Sequence, residues 1–200
     1  MLEWLTSKST PFACFLTLTY LNRYFGELIP KTHERHGFGI CVWADGATYK
    51  GEWKNDKKHG QGVEDWLDGA NYQGQFADGV KHGNGVFCWP NEDVYTGQFT
   101  HNNIEGFGTY EWSNGHVYEG EWMNNKMHGK GKFTWIDGRV YEGEYIDDKK
   151  EGAGVFTWKD GRKYVGPWKD GKQHGIGHFT TARGEEMDGE WCEGNHVKWL

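Results

Sequence analysis

The sequence predicts an all-β repeat protein, an elongated, curved, single-layer antiparallel meander of β-hairpins. Three observations predict it. A tyrosine returns every 23 residues, at Tyr49, Tyr72, Tyr95, Tyr118, Tyr141 and Tyr164, and Met187 takes the next place. Around these positions rings and glycines alternate with polar residues at the period of two that marks a strand. Each unit then closes on Asp-Gly or Asn-Gly, the dipeptides that most readily reverse a chain between two strands.

Composition agrees with a fold that stores its apolar area in rings. Only 36% of the residues are hydrophobic, yet the chain carries 12 Trp, 11 Phe, 10 Tyr and 31 Gly. A chain this rich in aromatics is not of the disordered class. The net charge of −7 argues against a nucleic-acid partner, which calls for a basic face, and gives no general attraction to anionic lipid. Cys14, Cys41, Cys88 and Cys192 form no C-x-x-C pair, which fits a reduced, cytoplasmic setting. The apolar run from Phe12 to Leu21 is shorter than the ~18–20 residues of a membrane-spanning helix. Glu3 precedes it and no basic start is present, so no signal peptide is expected.

In chain order, residues 1–23 match nothing in the repeat and are expected to cap the open edge of the first hairpin. An interfacial membrane helix is the alternative for this segment. Residues 24–200 form the repeat domain. It comprises one 25-residue variant repeat, six 23-residue repeats and one partial repeat. The variant begins at Tyr24, continues through Gly37-Phe38-Gly39, and ends at Trp43 with Asp45-Gly46, its turn two residues longer than the rest. In Tyr118-Glu119-Gly120-Glu121-Trp122 the rings and glycine share one strand face and the acids the other. Gly129, Gly131, Phe133 and Trp135 share one face of the returning strand. Asn124-Asn125 joins the two, and the return is read as a two-residue turn at Asp45, Asp68, Asn114, Asp137 and Asp160. Asn91-Glu92 breaks that rule, and a different turn is expected there. Consecutive hairpins then continue one meander of about fifteen strands, stabilised mainly between neighbours.

The run Tyr118-Glu119-Gly120-Glu121-Trp122, followed by Asn124-Asn125, His128-Gly129-Lys130-Gly131 and Asp137-Gly138, closely resembles the MORN (membrane occupation and recognition nexus) repeat. The likeness extends over about residues 24–200. It implies a curved sheet of β-hairpins that binds protein partners or phosphoinositide-containing membranes in cytoskeletal or membrane-contact scaffolds. It also implies that dimers form through the repeats in several members. Departures fall at Glu105 and Glu151, which replace histidine, at Pro167 in the acid column, and at Thr181 in place of tryptophan.

Nothing in the pattern points to catalysis, a cofactor or a metal. The histidines His36, His59, His82, His128 and His174 stand about two strands apart, roughly 9–10 Å, too far for neighbours to share an ion. They are read as hydrogen-bonding residues beside the turns. The acids Glu119, Glu121, Glu142 and Glu144 repeat with the unit on a solvated face, whereas catalytic acids are singular. The G-x-G motifs lack the helix a dinucleotide would need. The expected function is therefore a protein–protein interaction scaffold. A partner segment, a helix or an extended peptide, would lie along an aromatic groove of Tyr118, Trp122, Phe133, Trp135, Tyr141, Tyr145, Phe156 and Trp158. The alternative is a membrane-surface module, or the accessory repeat region of an enzyme such as a lipid kinase. In it a rim of Lys57, Lys58, Lys81, Lys126, Lys149, Lys150 and Lys172 would meet anionic phospholipid. Homodimerisation through the open strand edges is also expected, and the setting would be cytoplasmic, peripheral to membrane or cytoskeleton.

Overall fold

A computed structural model describes residues 22–200. The expected N-terminal cap falls outside them apart from Asn22, whose side chain accepts the Ala44 N–H, and Arg23, which opens the first strand. The hairpins are β1 (Arg23–Leu28) with β2 (Arg35–Val42), β3 (Thr48–Lys54) with β4 (Lys57–Asp65), and β5 (Asn71–Ala77) with β6 (Val80–Cys88). Then come β7 (Val94–Thr100) with β8 (Asn103–Glu111), β9 (Val117–Met123) with β10 (Lys126–Thr134), and β11 (Val140–Ile146) with β12 (Lys149–Thr157). The last are β13 (Lys163–Lys169) with β14 (Lys172–Gln173) and β15 (Gly175–Thr180), and β16 (Glu186–Cys192) with β17 (Asn195–Trp199). All belong to one antiparallel sheet of 17 strands in which each strand pairs with its sequence neighbours, as the meander requires. β14 and β15 are two pieces of one strand facing β13, and the break lies opposite Pro167.

The register explains the glycines. Gly120 pairs with Gly131 inside a hairpin, and Gly131 pairs with Gly143 in the next, so the glycines form a line across the sheet. Tyr118 lies down over that line. A Cβ on Gly131 would sit 2.5 Å from Tyr118 Cε2, and one on Gly120 2.5 Å from the Gly131 Cα. The tyrosine hydroxyl reaches across to donate to the Glu121 carbonyl at 3.0 Å, and Tyr49, Tyr72, Tyr95 and Tyr141 make the same bond three residues on. These five and Tyr164, whose hydroxyl donates to Pro167 O at 3.0 Å, are fully buried. Burial raises their phenol pKa values, to about 12 at Tyr72.

Beyond the glycine pair the second strand carries two extra residues. Gly120 faces Gly131, but Trp122 already faces Met127. This bulge places Gly129 at φ 57, and the Glu121 carboxylate folds over it to accept the Lys130 N–H at 3.1 Å. Glu52, Gln75 and Gln98 cap their bulges alike. The acid after the glycine of the first strand thus stays on the exposed face, as expected for Glu121, and in addition caps the backbone. Pro167 stands at this place with no carboxylate to offer, and there the strand splits.

The two turns also exchange roles relative to the sequence reading. The two-residue turn is the Asn124-Asn125 one, with φ 49 and 64, the double left-handed pattern of type I′. The Asp-Gly loop is longer. Trp135 N–H donates to Arg139 O, Gly138 N–H to Trp135 O, and only Gly138 is left-handed, at φ 91. That is a three-residue loop, a type I turn closed by a glycine bulge. Asn91-Glu92 adopts the same loop, contrary to the expected difference, with Glu92 held at φ 69. Buried Asp93 pins it by accepting from Asn91, Tyr110 and the Ser113 N–H. A left-handed non-glycine residue is strained, so Glu92→Gly is expected to raise stability by about 1 kcal/mol in urea denaturation.

Candidate partner-binding surface

The aromatic face is built in two zones. In the inner zone each tyrosine is wedged between two rings met edge-on, one from its own repeat and one from the next. Tyr118 meets Trp122 at 5.1 Å and Tyr145 at 5.3 Å, and Tyr141 meets Tyr145 and Trp168 at 5.2 and 5.1 Å. Trp122 reaches back to the preceding repeat, its Nε1 donating to Gly108 O at 3.2 Å. Tyr118, Trp122, Tyr141, Tyr145 and Phe156 are thus buried, and the expected open groove is filled there. A single layer buries these rings because the glycine line lets them lie against backbone.

Tyr145 carries a flaw. It occupies the column of Trp53, Phe76, Phe99 and Trp122, and among the described residues its buried hydroxyl has no hydrogen-bond partner. A buried orphan hydroxyl costs about 1–2 kcal/mol, and phenylalanine already serves at positions 76 and 99. Tyr145→Phe is accordingly expected to raise the denaturation midpoint, by about 1 kcal/mol in stability.

The outer zone remains accessible. Trp66, Phe87, Trp89, Tyr110, Trp112, Phe133, Trp135, Phe156, Trp158 and Phe179 follow one another in contact, with centroid separations from 4.5 to 5.9 Å. All but Phe156 are only partly buried. Phe133, Trp135 and Trp158 of the expected groove belong to this ladder. It runs beside the three-residue loops, each of which the tryptophan immediately precedes.

The lysines divide in two. Lys57, Lys126, Lys149 and Lys172 stand exposed at the type I′ tips, beside acids of the following tip: Asp78 at 4.0 Å, Asp147 at 3.9 Å, Asp170 at 2.9 Å and Glu193 at 3.1 Å. Lys58, Lys81 and Lys150 are not rim residues, which corrects the expectation. They bend over the aromatic face, where Lys150 Nζ lies 4.8 Å from the Trp135 ring centroid, 5.1 Å from Tyr141, 5.0 Å from Phe156 and 4.9 Å from Trp168. Loss of water and the neighbouring Arg139 charge lower the Lys150 pKa to about 8. The parity of the strand separates the two sets: Lys150 shares the even positions of Gly152, Gly154 and Phe156, and Lys149 does not.

The histidine side chains do not make the expected bonds at two places: among the described residues Nδ1 of His128 and of His174 is buried without a hydrogen-bond partner, with the Asp147 carboxylate 3.9 Å from the first. It is the histidine backbone that is used: the His59 carbonyl accepts from Tyr49 at 3.3 Å. Glu105 and Glu151, in the histidine column, accept the N–H of Asn124 and of Asp170 and so tie successive tips together. Among the described residues no group of three or more His, Cys, Asp or Glu is placed to hold a metal ion. On the opposite face, hollows run along the glycine line. One of about 610 Å³ is lined by Ala153, Val155, Val165 and Pro167.

An open, single-layer sheet of identical hairpins, with a filled core on one face and an accessible ring ladder beside it, defines a β-hairpin repeat protein. The chain belongs to the MORN repeat family, whose repeat matches residues 33–48, 49–70, 72–94, 95–117, 118–138, 141–161 and 164–186. Nothing matches among curated protein sequences. Among solved structures, the chain resembles the Drosophila melanogaster SAS-4 (dCPAP) TCP domain in complex with a proline-rich motif of Ana2 (dSTIL). That match has 11% identity and TM-score 0.52, covering 94% of this chain and 97% of that one. The TCP10 domain of Danio rerio CPAP matches at 12% identity and TM-score 0.47, over 82% and 78% of the two chains. The first of these likenesses speaks to the fold alone. Among the described residues no helix is long and apolar enough to cross a membrane.

Proposed function

We propose that this chain is a non-catalytic protein–protein interaction scaffold, and that a segment of a partner protein docks along the ladder from Trp66 to Phe179. The observation that carries this reading is the ladder itself. A continuous row of half-buried rings has flat apolar area left over after the core is filled, and such patches mark interfaces. The SAS-4 TCP domain, of similar fold, is described with a proline-rich motif of another protein, and extended proline-rich segments suit aromatic rows. The membrane alternative has lost support, because four of its seven lysines sit beside acids and three are drawn into the aromatic face. Homodimerisation through the exposed β17 edge, and a cytoplasmic or cytoskeletal setting, belong to the same proposal.

Trp122 is a core residue and unsuited to testing this. Trp135 and Trp158 are better, since Thr181 already fills the equivalent loop position with the same two backbone bonds. The Trp135→Thr, Trp158→Thr double variant is expected to keep its circular dichroism spectrum and lose the partner that the full-length parent captures. Equal capture by parent and variant would move the site to the hollows of the opposite face. Capture of lipid vesicles and no protein would make the chain a membrane module.

A further inference from the structure

One column of the sheet opens each second strand beside a core ring: Lys58 faces Trp53, Lys81 faces Phe76, Ile104 faces Phe99, Met127 faces Trp122, and Lys150 faces Tyr145. Two of these lysines show what the position does with and without an anion. Lys58 is closed. Its Nζ lies 2.6 Å from the buried Glu64 carboxylate, and the rings of Trp43, Tyr49 and Phe76 surround the pair within 5.7 Å. Lys150 occupies the equivalent place within an even denser frame of four rings. Phe156 stands where Glu64 would be, and among the described residues no carboxylate comes within 4 Å of its ammonium group. The charge of Arg139, of like sign and itself paired with Asp137 at 2.8 Å, also bears on it.

A cation removed from water, ringed by aromatic faces and left without a counterion is an anion site in waiting, because its desolvation has already been met by the fold. The site borders the ladder at Trp135 and Phe156, whose ring centroids lie 4.8 and 5.0 Å from the ammonium group. We propose that Lys150 is the point at which the docked segment places an acidic side chain, an intermolecular version of the Lys58–Glu64 pair. The occupant is thus a peptide segment of a partner protein with apolar or proline residues on the ladder and a glutamate or aspartate over Lys150. Charge complementarity selects this occupant over a basic segment, which Lys150 would repel, whereas Arg139 and Arg162 are already paired with Asp137 and Asp160 at 2.8 Å. Loss of water, with the like charge of Arg139 beside it, lowers the pKa of this same ammonium group. This inference rests on the ladder being a docking surface.

The test is selection of peptides from a random displayed library on the immobilised full-length chain, repeated on Lys150→Met and Lys150→Arg. Met127 in the same column ensures that methionine fits, and a denaturation curve checks each variant. Selected peptides are expected to carry an Asp or Glu that the arginine variant retains and the methionine variant no longer enriches. For one selected peptide, Lys150→Met and replacement of its acid by the amide should each weaken binding at least tenfold, and the two together no further. Peptides selected without an acid, or an acid enriched equally on Lys150→Met, would overturn the socket and leave the docking reading intact. No selection at all, or a parent that occupies the ladder with a second copy of itself, would overturn both.

Discussion

Alanine at Gly131 is expected to lower stability by about 3 kcal/mol, the upper range for overpacking a filled interior. The added methyl would lie 2.5 Å from Tyr118 Cε2, and the paired Gly120 offers no more room, since a Cβ there would lie 2.6 Å from Tyr118 Oη. Tyr118 cannot swing aside. Trp122 and Tyr145 meet it edge-on at 5.1 and 5.3 Å, and its hydroxyl is tied to Glu121 O. Either the ring leaves the core or the strands part. Gly138→Ala is the control: that glycine is left-handed at φ 91, but a Cβ there meets only Lys159 Cγ at 3.8 Å. Its cost is backbone strain alone, about 1 kcal/mol. Guanidinium denaturation of the two variants decides the matter, and equal losses would sink the account of a ring lying on a glycine pair. Because stability in such an array is carried between neighbours, hydrogen exchange should loosen first in β9 to β12.

How far the sequence reaches is seen in these same residues. Period, strand direction and the identity of the ring face follow from the recurrence of Tyr118 and its counterparts, since one alternation governs every copy. The turn geometry does not. Asn124-Asn125 and Asp137-Gly138 both favour chain reversal, and only the hydrogen bonds of Trp135 separate a two-residue from a three-residue loop. The bulge at Gly129 was hidden for a related reason: a two-residue insertion leaves the parity of the strand unchanged, so alternation looks unbroken. Which rings stay accessible was likewise beyond a pattern of residue types. Tyr118 and Trp135 alternate identically, but one rests on the glycine line and the other at the loop margin. The lysines are legible by the same alternation. The rule that assigns rings to a face puts Lys58, Lys81 and Lys150 among them, whereas reading the lysines as a cluster near one hairpin end joined them to Lys57 and Lys149.

That assignment makes Lys150 a measurable liability in the free protein. Lys150→Met is expected to stabilise the chain at pH 7 by on the order of 1 kcal/mol. This is well below what the pKa shift would yield undiscounted, because water still screens part of the ammonium and the four ring faces attract it. The sign follows from linkage. Burial lowers the folded pKa to about 8 from 10.5, so between those values the unfolded chain binds more protons and the stability of the parent rises with pH. Below about 8 the full penalty of the charged form applies, and above 10.5 it is gone. The advantage of the methionine variant should therefore be constant from pH 6 to 7.5, shrink from pH 8 onward and vanish near 10.5. Tyrosine titration moves both proteins together and cancels in the difference. Denaturation midpoints of parent and variant across pH 7 to 10.5 provide the check, with Lys149→Met as the exposed reference. Lys149 is bonded to Asp170 at 2.9 Å, which raises its pKa, so its loss should bring no gain at any pH. A Lys150→Met advantage that persists undiminished at pH 10.5 would mean better apolar packing, and the caged lysine would then be an ordinary solvated cation.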